Sequence, residues 1–134
     1  MAHARPADIL RTTVLADGVT CAAMGVALIA GSGFVAGLTG LPAGLLFWAG
    51  AALLPVALFM FATARAAQPS RAAAWIVIAG NEAWVLASVA LLLTGWVEPT
   101  ALGYAFVLAQ AAAVAVLASI EFLALRRMPA AAAA

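Results

Sequence analysis

Four times along its length the chain runs through about 20 residues with almost no charge, the pattern of a polypeptide dissolved in lipid rather than water. A helix needs about 20 apolar residues to cross a hydrocarbon core about 30 Å thick. The runs cover residues 12–31, 41–64, 72–95 and 101–125. Of 134 residues, 68% are hydrophobic and 8% charged, against about 45–50% and about 25% in an average soluble domain. Backbone groups in lipid must be paired within their own segment, so each run reads as a helix. The expected class is therefore all-α: one integral membrane domain, a transmembrane four-helix bundle threaded up-down-up-down.

The connections follow from what interrupts the runs. Gly31 to Gly40, Gly-rich and uncharged, reads as an outer loop. Arg65 to Arg71, containing Gln68-Pro69-Ser70, and Glu98-Pro99-Thr100 supply the other two breaks. Pro55, in the middle of the second run, removes a backbone donor and is expected to kink its helix. A cleaved signal peptide over residues 1–31 would suit the early arginines, but Asp17 interrupts its apolar region.

Arginine placement checks the span count independently. Arg5 and Arg11 precede the first run, Arg65 and Arg71 separate the second from the third, and Arg126 and Arg127 follow the fourth. Four crossings put all six on one side and leave Glu98 alone on the other. The positive-inside rule then places both termini and the middle loop in the cytoplasm, and the protein in a cell's inner (plasma) membrane. Trp75 falls near one boundary and Trp96 and Tyr104 near the other, as an interfacial belt requires. Trp84 sits deeper, where it packs inside or faces acyl chains.

Composition excludes several activities. A net charge of +1 supplies no basic stripe for nucleic acid. The chain has one cysteine and one histidine, too few for a zinc, copper or iron–sulfur site. The histidine, His3, lies in the N-terminal tail, away from any span. With no lysine, neither a retinal nor a pyridoxal Schiff base can form. We therefore expect no enzyme activity, metal or cofactor.

Polar side chains within the runs are the remaining candidates for chemistry, because ionisable groups in a membrane are costly and tend to be functional. At about 100° per residue, Thr13, Asp17, Thr20, Cys21 and Met24 share a face of the first span. Asn81, Val85, Ser88 and Gly95 share one on the third, with Glu82 about a quarter-turn away. Gln110 and Glu121, eleven residues apart, superimpose on the fourth along with Gly103 and Val114. Such seams usually face the bundle interior. Asp17 and Glu121 each lie about 8 Å inside a flanking arginine. On neighbouring helices they either share a proton or pair separately with snorkelling arginines. Glu82, about 16 Å from Arg71, lies near the midplane. It is either a proton or cation ligand assisted by Asn81, or a hydrogen-bond donor to another helix or subunit. Gly18 and Ala22, and Ala105, Ala109 and Ala113, repeat at four-residue spacing suited to close helix packing, in folding or oligomerisation.

Small multidrug transporters resemble this chain in size and span count, but they carry a membrane-embedded glutamate in the first span, where this chain has Asp17 near one end. The chain is more similar to small four-span integral membrane proteins of GC-rich bacteria. The likeness lies in Leu10-Arg11…Ala16-Asp17, Asn81…Trp84…Ala87-Ser88 and Trp96…Pro99-Thr100-Ala101-Leu102-Gly103…Ala109-Gln110-Ala111. It implies a four-span fold and no particular activity, and Glu82 departs from the apolar residue usual there. Two functions fit these observations. One is a non-enzymatic accessory or oligomer-forming membrane component, its partners the lipid bilayer and either further copies of itself or a membrane complex. The other is a small proton- or cation-coupled transporter that uses Glu82.

Overall fold

In the computed structural model, residues 4–130 are described and consist of four α-helices with no strand among them. They are α1 (Pro6–Thr39), α2 (Ala43–Arg65), α3 (Arg71–Leu93) and α4 (Ala101–Arg127). All four are long and apolar enough to cross a membrane, which makes this a multi-pass membrane protein. His3 lies outside the described residues.

Each helix buries one stripe whose members are three, four or seven residues apart. On α2 it is Leu46, Gly50, Leu53, Ala57, Met60 and Ala64; on α1, Leu10, Val14, Asp17, Cys21 and Leu28. Ala74, Ile78, Asn81 and Ser88 form it on α3, and Gly103, Val107, Ala111, Ala118, Glu121 and Leu125 on α4. This is the seam along which helices pack in left-handed bundles. The other faces remain apolar and exposed, as Phe34, Trp48, Leu58 and Val116 show, because lipid is as good a solvent for them as the core.

The packing is uneven. α1 lies tightly along α2 and more loosely along α4, and α4 carries α3, whereas α2 and α3 scarcely touch. Gly25 and Gly50 make the α1–α2 approach possible. A Cβ on Gly50 would stand 2.8 Å from the Gly25 carbonyl oxygen, and one on Gly25 2.9 Å from that of Gly50. Gly103 lets α4 abut the Thr39 carbonyl in the same way. Ala105, Ala109 and Ala113 do not serve the bundle: all three are exposed, so the close contacts rest on glycines instead.

Helix ends are interlocked. Arg11 Nη2 donates to the carbonyls of Ala66 (2.9 Å) and Ala67 (3.4 Å) just beyond α2. Arg71 Nη1 donates to those of Leu125 (3.1 Å) and Met128 (3.5 Å) at the end of α4. At the opposite end, the Thr100 backbone N–H donates to the Thr39 carbonyl at 2.9 Å and its hydroxyl to that of Leu38 at 2.8 Å. The six arginines thus gather at one end of the bundle.

Three helices begin and end within two residues of the runs read from sequence; the first does not. The sequence predicts a loop over residues 31–40, yet α1 continues through Thr39, with non-helical dihedrals only at Gly31 (φ −118°, ψ 18°). Glycine costs a helix about 1 kcal/mol, but a looped backbone would leave polar groups unpaired at the edge of lipid, a larger cost. The turn comes at Gly40, whose left-handed φ of 71° ends α1. α2 passes Pro55 without a break in its helical dihedrals, so the irregularity falls at Gly31 in α1.

Candidate functional site

Three helices deliver one polar side chain each to a common point. Asn81 of α3 donates from its amide nitrogen to Asp17 Oδ2 of α1 at 2.7 Å and to Glu121 Oε2 of α4 at 3.2 Å. Asp17 is 1% exposed, Glu121 0% and Asn81 5%, so all three are buried. Cys21, one turn beyond Asp17, directs its thiol at Asp17 Oδ1 (3.8 Å). Glu121 Oε1 is buried with no hydrogen-bond partner. Around them pack Leu10, Val14, Met60, Val77, Ile78 and Leu125.

Among the described residues, no cationic side chain reaches this centre. Of the arginines expected to pair with Asp17 and Glu121, Arg11 donates instead to carbonyls just beyond α2 and Arg126 lies over the Phe122 ring at 5.6 Å; the carbonyl end of α4 is satisfied by Arg71. The ends of α2 and α4 leave unpaired acceptors with partial negative charge, and they lie at the surface, where a guanidinium keeps its hydration. The ion pair found among the described residues, Arg5 with Asp8 at 2.9 Å, is superficial. No group of three or more His, Cys, Asp or Glu side chains among them is arranged to hold a metal. What the centre offers is two carboxylates and one amide donor in a buried setting, an arrangement suited to a proton or one small monovalent cation.

A second polar layer lies farther along the bundle. Trp84 Nε1 donates to Gln110 Oε1 at 2.7 Å, and Gln110 Nε2 donates to Ser88 Oγ and to the Val107 carbonyl, both at 3.0 Å. The Ser88 hydroxyl closes the ring by donating to the Trp84 carbonyl at 2.8 Å. Gln110 and Glu121, stacked on one face of α4, therefore serve different layers about 16 Å apart. Sequence reasoning overlooks Trp84 as a polar residue. The available signal is its place one turn from Ser88 on the face that carries Asn81.

The sparse α2–α3 contact leaves two cavities. One of about 280 Å³ lies beside the second layer and is lined by Met24, Leu28, Leu46, Phe106 and Gln110, among others. Another, of about 350 Å³, lies between α2 and α3, bordered by Pro55, Met60, Val77, Gly80, Asn81 and Trp84. Asn81 thus touches the carboxylates on one side and this cleft on the other.

Glu82 takes no part. It follows Asn81 in the chain but points away from the bundle and is exposed, so Asn81 and Glu82 do not form a joint site. No hydrogen bond or ion pair joins Glu82 to another described residue. Comparisons with known proteins add no assignment: no family model, curated protein or solved structure matches the chain.

Proposed function

We propose that this chain is a non-enzymatic component of the bacterial inner membrane, with both termini cytoplasmic, that holds an exchangeable proton at Asp17, Asn81 and Glu121. One observation carries the reading: two buried carboxylates share a single amide donor, and no cationic side chain among the described residues balances them. Two negative charges in that setting would be uncompensated, and buried charge without a partner is strongly unfavourable. A proton between the carboxylates removes one charge and turns that oxygen into a donor. The threading is supported by the six arginines gathered at one end.

The test is infrared spectroscopy of the protein in lipid vesicles near neutral pH. A carbonyl stretch of protonated carboxylic acid is expected, shifted on deuteration and altered by both Asp17→Asn and Glu121→Gln. A wild-type spectrum whose acid band responds to neither variant would overturn the reading.

Contact between Asn81 and the α2–α3 cleft favours a second reading, a small proton- or cation-coupled transporter. Its residues would be the interior pair, since Glu82 lies outside the bundle. Proteoliposomes should then show proton- or sodium-dependent flux that Asp17→Asn abolishes and Glu82→Gln spares. Absence of flux with the infrared signature intact would leave the accessory reading standing alone.

A further inference from the structure

α3 carries two seams, and the bundle uses one. The second consists of Trp75, Ala79, Glu82, Leu86, Val89 and Leu93, spaced 4-3-4-3-4; every member is exposed, and Trp75 at its end also packs edge-on against Phe122 of α4. That spacing is the one along which α2 packs on α1. At its centre stands Glu82, eleven residues from either end of α3, hence about 16 Å from each and near the middle of the bilayer.

Three hydroxyls within the spans are satisfied by their own helix. Thr20 donates to the Ala16 carbonyl (2.9 Å), Thr63 to that of Phe59 (2.8 Å) and Ser119 to that of Ala115 (2.7 Å). Glu82 makes no such bond: its carboxyl has no hydrogen-bond or ion-pair partner among the described residues. Glu82 is left facing hydrocarbon, where an unmatched polar group is most unfavourable.

We infer that this face of α3 is the interface of a parallel two-fold dimer, closed at its centre by hydrogen bonds between Glu82 and the partner's Glu82. Hydrogen-bond complementarity selects a second copy as the occupant. Copies inserted in the same orientation share depth residue by residue, so a two-fold axis along the membrane normal brings Glu82 to its own equivalent. A carboxylic acid both donates and accepts, and the pair is self-complementary. Ala79, one turn away, permits close approach at that level. A single polar residue within an apolar seam sets register and partner number. The interface uses none of the residues of the Asp17–Asn81–Glu121 centre, so the two proposals stand or fall separately.

The experiment uses the full chain in phosphatidylcholine–phosphatidylglycerol vesicles, at decreasing protein-to-lipid ratio. In a Cys21→Ala background, Ala79→Cys and Leu86→Cys should form disulfide-linked dimers on oxidation. Val26→Cys on α1 and Leu58→Cys on α2, equally lipid-facing, should not. By energy transfer between labelled copies, Glu82→Leu is expected to weaken association about tenfold. Glu82→Gln, whose carboxamide also donates and accepts, should stay within about threefold of wild type. A wild type monomeric at every dilution, cross-linking confined to Val26 or Leu58, or association unchanged by Glu82→Leu would each overturn the dimer.

Discussion

At Asn81 one amide nitrogen meets two carboxylates, and removing it should be costlier than neutralising either acid. Asn81→Leu leaves Asp17 and Glu121 facing each other with their shared donor gone and an apolar group in its place. A buried polar group deprived of its partner costs about 1–3 kcal/mol, so with two groups affected we expect a loss of about 2–4 kcal/mol. Glu121→Gln retains the acceptor for Asn81 and adds a donor, and should change stability by about 1 kcal/mol or less. Unfolding by sodium dodecyl sulfate in mixed micelles measures both. Equal losses would mean that Asn81 does not bridge the pair. Half of this centre is legible in the sequence. Similar distances from Arg11 and Arg126, six and five residues, put Asp17 and Glu121 at similar depth, and helical angle puts Asn81 on an inward face. The bridge itself is hidden, because angle and depth say nothing of how far α3 leans toward α1. The arginines mislead for a related reason. Depth brings Arg11 and Arg126 near the carboxylates, but Arg11 donates to carbonyls just beyond α2 and Arg126 lies over the Phe122 ring.

Among the elements, α1 and α2 are held by the closest backbone approach along their length, and its glycines are separable from those that merely sit in helices. Gly50→Ala forces a methyl group against the Gly25 carbonyl and the Leu28 Cβ, each 2.8 Å from where it would lie. Backbone cannot yield as a flexible side chain does, so the helices must part, at a cost of about 1–3 kcal/mol. Gly44, on the same helix, has nothing within 4 Å of where an alanine methyl would lie. Gly44→Ala should therefore be neutral or stabilising by up to about 1 kcal/mol. The same unfolding titration compares them, and similar effects at both positions would show that propensity, not packing, governs α2. The elements also show where hydropathy stops being informative. Charge and proline mark the ends of α2, α3 and α4 to within two residues. Gly31 to Gly40 resembles a loop in any solvent that can pair with an open backbone, and only lipid makes the helical extension the better solution.

For the whole molecule, orientation depends on where six guanidinium groups stay. A guanidinium at the centre of a span costs about 2.5–3.5 kcal/mol on insertion scales, so inverting the bundle would carry several of them across at once. Arg11 and Arg71 are further tied, since each satisfies the carbonyl end of a neighbouring helix. Reporter fusions after Gln68 and Arg127 should therefore read cytoplasmic, and fusions after Gly40 and Glu98 should read external. The bias can also be titrated. Glu98→Arg with Thr100→Arg places two positive charges on the far loop, where they oppose the pairs flanking it, and a mixed population of the two orientations is expected. Thr100 is also the residue whose hydroxyl donates to Leu38 and caps α4 by accepting from the Gly103 N–H. Thr100→Ala alone is the control that separates lost interlocking from added charge, and it should leave all four reporters unchanged. If the control inverted the chain as fully as the double arginine variant does, orientation would be set by the α1–α4 junction rather than by charge.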